Sequence, residues 1–130
     1  MKKILLFLWQ LPQNILGLLV ILFTNAKYCN KGCWVTTVSR FGVSLGKYII
    51  FGQVVNDTSL KHEQGHQKQS LYLGWFYLLV IGIFSFLGNI WDRVAHRNWL
   101  ASERIKWYYN QPWEKWADEL GNVNRFNSGA

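Results

Sequence analysis

Two stretches of this chain, residues 4–23 and 71–90, contain no Asp, Glu, Lys or Arg. Each is about the 20 residues needed to cross the hydrocarbon core of a bilayer. In a chain of 130 residues, which is one domain at most, they leave little choice. A soluble domain of this size has too little interior to hide both. Half of the residues are hydrophobic, 17% are aromatic, and eight are Trp. Trp and Tyr collect where an apolar ring and a polar N–H or O–H can each find their preferred surroundings, as at a membrane–water interface. Membrane association is the first expectation.

The formal charge of +7 is unevenly placed. Residues 1–70 hold eight Lys/Arg against two acids, whereas residues 91–130 hold six against five. No basic run or nucleic-acid motif accompanies the charge, so no nucleic-acid partner is expected. Anionic lipid headgroups account for basic residues flanking apolar segments more simply. The only cysteines, Cys29 and Cys33, make a poor zinc site without a second pair. They can form a disulfide only where their loop faces an oxidising compartment, and two free thiols are an equal expectation.

The first apolar block is interrupted by Gln10-Leu11-Pro12-Gln13-Asn14, where a signal peptide would be continuous. Pro12 lacks an N–H, kinks a helix and leaves a carbonyl free near those polar side chains. Residues 1–26 are therefore read as a retained, kinked membrane-anchoring helix, with a re-entrant or surface-lying segment as the alternative. The runs Trp34–Val38 and Lys47–Phe51 are β-branched and aromatic, and Gly42 and Gly46 lie between them. They predict a small antiparallel β-ribbon. Asn56 to Ser59 offer N-caps for a helix starting near Leu60. Asn56-Asp57-Thr58 also fits a glycosylation sequon, but capping explains it better. Residues 91–109 mix charges with Trp91, Trp99, Leu100, Ile105 and Trp107, as suits an amphipathic helix at an interface. Pro112 suits the first turn of a last helix, Trp113–Leu120, which Gly121 would end. Residues 122–130 read as a flexible tail.

Chemistry concentrates in His62-Glu63-Gln64-Gly65-His66. Residues four apart share a helix face, so both imidazoles can reach one ion. Glu63 reaches the ion's open side, where it can take a proton from water. Gly65 costs helix stability but can leave room for another element to approach. A catalytic zinc needs a third protein ligand and keeps its fourth position for water. In the last helix, Glu114 can supply that ligand. Asp118, one turn on, can accept the remaining ring N–H of a ligating His. Asp118 and His96 are the alternative third ligands. Without the HEQGH segment, Glu114, Asp118 and Glu119 would read as ordinary surface acids.

His62-Glu63-x-x-His66 followed by Glu114-x-x-Ala117-Asp118 resembles the gluzincin arrangement, an HExxH with a distant Glu inside an E-x-x-A-D helix. The stretches H-E-Q-G-H-Q-K-Q-S-L-Y-L-G and W-E-K-W-A-D-E-L-G also resemble a group of small bacterial membrane proteins. Their pattern runs H-E-x-G-H-x-x-Q-S-x-x-L-G, then I-G-I-P-S, then E-K-W-A-D-x-L-G. The resemblance covers roughly residues 40–121, and Phe84 stands where that pattern has Pro. It implies that His62, His66 and Glu114 bind zinc, Glu63 is the base and Asp118 supports a ligand. It also implies a bacterial inner-membrane location.

The ligands bear on topology. His62 and His66 precede residues 71–90 and Glu114 follows them, yet all must lie about 2 Å from one ion. A single crossing would put Glu114 roughly 30 Å away. Residues 91–113 look too charged to cross back. Residues 71–90 are therefore expected to dip in and return, bending near Gly82 to Ser85, or to lie shallow. Tyr109, just before the ligand helix, is the first choice for stabilising an oxyanion, with Tyr108 and His96 as alternatives. Gln69 and Ser70 are expected to support the ligands or pack.

The fold expected is α+β, mostly α, with membrane or interfacial helices, a small antiparallel ribbon and a zinc site between two helices. Residues 27–121 would form the metallopeptidase-like region. The function expected is zinc-dependent hydrolysis of a peptide or protein substrate at the membrane, with membrane lipid as the other partner. The alternative is a non-catalytic membrane protein with a structural metal site or a partner-binding role. Lys2 and Lys3 before the first helix, against Lys27, Lys31 and Arg40 after it, leave the membrane orientation open. Substrate and oligomeric state are also open.

Overall fold

Pro12 divides the N-terminal apolar block in two. Helix α1 (Lys2–Trp9) ends at Gln10, and α2 (Leu11–Thr24) starts with Pro12 in its first turn, where the missing N–H costs nothing. The two arms are bent by 86°. The carbonyl that Pro12 would have bonded belongs to Leu8, and the Trp75 indole donates to it at 2.8 Å. These features come from a computed structural model that describes residues 2–29, 31–37, 42–52 and 56–124.

Four short strands follow: β1 (Lys27–Tyr28), β2 (Trp34–Thr36), β3 (Val43–Leu45) and β4 (Tyr48–Gly52). They form one sheet in the order β1-β2-β4-β3. The expected ribbon between the runs at 34–38 and 47–51 is corrected in one respect. β2 and β4 do pair, but in parallel, with Trp34 opposite Ile50. The reason is local. Gly46, at φ +66°, lets β3 fold straight back onto one edge of β4, so β2 is left the other edge, where it runs parallel to β4. Val38 lies outside the described residues. Cys29 and Cys33 form a disulfide that closes the β1–β2 hairpin.

All five residues of β4 are buried, which explains its continuous apolar run: both faces are covered. Tyr48 and Ile50 pack with Ile21, Ala26 and Leu45 on the α2 side. Ile49 and Phe51 pack with Cys33 and with Leu60 at the start of the next helix.

That helix, α3 (Asp57–Leu73), begins as the sequence predicts, with Asn56 Oδ1 accepting from the Ser59 N–H at 2.8 Å. It stops at Gly74, whose φ of +55° a residue with a side chain would adopt only with strain. A Cβ there would also overlap the Trp9 ring. The α-helix therefore breaks at Gly74, and regular α geometry resumes only after Gly82. Beyond it a 3₁₀ turn (Gly74–Phe76) and a π-helical turn (Leu78–Gly82) lead into α4 (Ile83–Ala95). Residues 78–95 form one helix long and apolar enough to cross a membrane, with only 17% of it buried.

The return of the chain towards α3 is made by α5 (Ala101–Tyr109), not by residues 71–90. α4 leaves the centre of the molecule at Ser85 and turns at His96–Trp99, and α5 brings Tyr108 back to hydrogen-bond Ser85 at 3.1 Å. From Ser85 to Ala95 is about 15 Å along a helix, half a bilayer's thickness. One charge pair joins the two arms: Arg104 bonds Asp92 at 2.8 Å, and Asp92 also bonds the His96 ring at 3.0 Å.

The last helix, α6 (Pro112–Leu120), has Pro112 in its first turn and Gly121 at its end, as predicted. It crosses α3 with the two backbones in contact. A Cβ on Gly65 would overlap the Ala117 carbonyl, and a Cβ on Gly121 would overlap the Lys61 carbonyl. The α3–α6 crossing thus depends on two missing side chains.

Candidate metal centre

With the backbones this close, side chains one turn from the contact must meet. Glu114 Oε2 lies 2.9 Å from His62 Nε2 and 3.1 Å from His66 Nε2, and the two Nε2 atoms are 3.1 Å apart. All three residues are buried, Glu114 completely. Three ligand atoms on a tetrahedral zinc, at 2.0–2.1 Å from the ion, would lie about 3.3 Å apart. The observed triangle is close to that size.

The far side of each ring fixes its tautomer. His62 Nδ1 bonds Asp118 Oδ1 at 2.7 Å. His66 Nδ1 bonds Gln69 Oε1 at 2.6 Å, and the Gln69 amide nitrogen donates to the Trp113 carbonyl at 2.8 Å. That last bond sets which end of the amide faces His66, so His66 carries its hydrogen on Nδ1. Asp118 imposes the same choice on His62. Both Nε2 lone pairs then point at a carboxylate oxygen, and three acceptors converge where a cation is needed.

Protons answer that need in part. Burial works against charge on His62, but hydrogen bonds to Asp118 and Glu114 hold its pKa up to about 9. Burial likewise opposes charge on His66, and Glu114 outweighs it. Burial alone would raise Glu114, yet the two imidazoles hold it well below the usual carboxylate range. The other oxygen of Glu114, Oε1, accepts from Ser85 and, at 3.1 Å, from Tyr108. These two hydroxyls orient the carboxylate, and nothing in their own neighbourhood of sequence signals that role.

Glu63 stands apart from this net. It is buried, and its Oε2 has no hydrogen-bond partner among the described residues. Burial pushes its pKa up, opposed by His66 and His62. Together His62, Glu63 and His66 could hold a metal ion, with candidate ligand atoms within 4.8 Å of one another. Of the two carboxylates, Glu114 is the one in contact with both imidazoles.

Every residue expected at the site except His96 is brought there. Tyr109 packs edge-on against the His62 ring, with centroids 5.0 Å apart, and lines the same cavity. His96 lies at the α4–α5 turn, stacked on Trp99 at 3.7 Å, about 16 Å along α4 from Ser85. It is neither the third ligand nor an oxyanion donor. Gln69 was expected only to support or pack, and its contact with His66 gives it a defined role.

The site opens into a cavity of about 960 Å³ between α2, the sheet and α4. Comparisons with protein-family models, with curated proteins and with solved structures returned no match.

Proposed function

We propose that the protein is a membrane-associated, zinc-dependent peptidase, with His62, His66 and Glu114 as the metal ligands. The observation that carries this reading is the convergence of two imidazole lone pairs and one carboxylate oxygen within 3.1 Å. Their tautomers are fixed from behind, an arrangement suited to a divalent ion that accepts N and O ligands. When bound, the ion would act as a Lewis acid, making water a competent nucleophile near neutral pH.

The remaining roles belong to this chain's own side chains. Asp118 and Gln69 hold the imidazoles in the ligating tautomer. Ser85 and Tyr108 hold Glu114. Glu63, with a buried oxygen that has no partner among the described residues, takes the proton from water and passes it to the leaving amine; its raised pKa suits it to both steps. Tyr109, against His62 and beside the cavity, is the nearest candidate to donate a hydrogen bond to the developing oxyanion.

His62, Glu63, His66 and Glu114 all line the cavity, so an ion held there would be reachable by water and substrate, which favours catalysis over a purely structural metal closed off by a further side chain. Membrane association rests on the exposed apolar faces of residues 78–95 and of α2, where Leu22 and Phe23 are 74% and 86% exposed. Patches of that extent on a protein surface call for lipid or a partner.

Glu63→Gln tests the reading. The variant should bind zinc like the wild type and lose about 10²–10⁴-fold in the rate of peptide hydrolysis. The assay would use detergent-solubilised, zinc-loaded protein with short apolar peptides and mass-spectrometric detection of products. Equal rates for the two proteins would remove Glu63 from the mechanism.

A further inference from the structure

Residues 78–95, apolar and long enough to cross a membrane, contain two charged side chains, Asp92 and Arg93. A charge in such a helix is costly, and where one is kept it faces a partner or a cavity that uses it. Asp92 faces a partner: Arg104 on α5 bonds it at 2.8 Å. Arg93 borders the cavity, and among the described residues lining it is the one Lys or Arg. Its Nε donates to Asn89 Oδ1 at 2.8 Å, and Asn89 lies on the same wall. That bond holds the planar guanidinium in one orientation there.

Position gives the charge a use. Ser85, whose hydroxyl donates to Glu114, lines the cavity on the same helix. Arg93 comes eight residues later, about 12 Å along α4, which is about three to four residues of extended polypeptide. Phe86 and Ile90 line the wall between them, and Leu16 and Val20 line it from α2. A chain bound at the metal centre thus has an apolar path that reaches a cation. A neutral apolar chain has no group to match Arg93. A carboxylate does, through charge-assisted hydrogen bonds that the guanidinium fork makes in pairs.

We propose that Arg93, held by Asn89, is an anion subsite that binds a carboxylate of an otherwise apolar polypeptide, about three to four residues from the bond cleaved at the metal centre. The carboxylate is the chain's own C-terminus or an Asp or Glu side chain. This substrate class rests on the hydrolase reading above, but it is tested through binding, so that the two can fail separately.

Zinc-loaded, detergent-solubilised Glu63→Gln protein would be titrated into three fluorophore-labelled Leu/Ala hexapeptides. One has a free C-terminal carboxylate, one a C-terminal amide, and one an amide with a single internal Glu. Affinity is read by fluorescence anisotropy, and zinc content is measured on the same samples. At least one carboxylate peptide should bind about 10–100-fold tighter than the neutral one, the range for hydrogen bonds to a charged group. Which of the two does so identifies the source of the carboxylate. Adding Arg93→Gln should remove that preference with zinc content unchanged. Equal affinity for all three peptides, no binding of any, a preference that survives Arg93→Gln, or loss of zinc with Arg93→Gln would overturn the proposal and leave the hydrolase reading intact. Binding of dihexanoyl-phosphatidylglycerol that depends on Arg93, with no carboxylate preference among the peptides, would overturn it in favour of a lipid headgroup. A starting protein that holds no zinc would instead remove the hydrolase reading, and the proposal with it.

Discussion

Helix α3 carries two buried polar clusters, two turns apart, and they differ in kind. At its C-terminal end Ser70 donates to Gln10 Oε1 at 2.6 Å and accepts from Gln13 Nε2 at 2.8 Å. Gln13 also donates to the Gly74 carbonyl at 2.7 Å. Donors meet acceptors, every group is neutral, and Gln13 Oε1 alone is left over among the described residues. In the middle of the helix, acceptors meet acceptors. Two Nε2 atoms and Glu114 Oε2 face one another, and Glu63 adds a carboxylate oxygen without a partner among the described residues. The first cluster is complete and ties α2 to α3. The second is completed only by a cation, whether protons or a metal. Burying polar groups is common to both; unmatched polarity is what marks the second as a site.

The largest test of that contrast is Gly65→Ala. The new methyl would overlap the Ala117 carbonyl, so α3 and α6 must part and carry Glu114 away from the histidines. Zinc stoichiometry should fall close to zero and stability by about 3 kcal/mol, read by metal analysis and by thermal unfolding. An alanine here that binds zinc normally would show the crossing to be looser than drawn.

Protons and metal should compete at the second cluster and not at the first. Metal-free His62 is raised from its ordinary 6.5 to about 9. The stability from its charged form is therefore fully present below about 6.5 and lost as pH rises through about 9. Zinc must displace that proton, so its affinity should climb across the same window, by up to about tenfold per pH unit for one proton, and level off above it. Titration calorimetry in buffers of different ionisation enthalpy would count the proton directly.

Smaller effects separate the supports. Asp118→Ala and Gln69→Ala should each weaken zinc binding by about 10–100-fold, as losses behind metal-ligating histidines usually do. Ser70→Ala, one residue from Gln69, should cost about 1–3 kcal/mol of stability and leave zinc affinity unchanged. If Ser70→Ala weakened zinc as much as Gln69→Ala, the two clusters would be one unit.

What could be read from the sequence follows the range of the interactions. The His62–His66 pair, the Asn56 cap, Pro112 and Gly121 are local, and each is fixed by helix geometry within a turn or two. Glu114 and Asp118 were legible as one face of a helix, and their meeting with His62 needed only that α3 and α6 pack. The parallel β2–β4 pairing was not legible, because two short apolar runs do not reveal that β3 lies between them in sequence and has already taken one edge of β4. Nor was the return through α5. Its charges argued against it until Arg104 was found paired with Asp92 across the two arms. Ser85 and Tyr108 come from different helices, and no spacing connects them to Glu114.

Every role proposed for the site requires the acceptor triangle to hold a metal. Purified protein should be dialysed against zinc and then against buffer, and its metal content measured beside that of His62→Ala and His66→Ala. Wild type should retain about one zinc per chain and each variant almost none, since each lacks one of three ligands. A folded wild-type protein that remains metal-free after zinc is offered, or a variant that keeps its zinc, would contradict it.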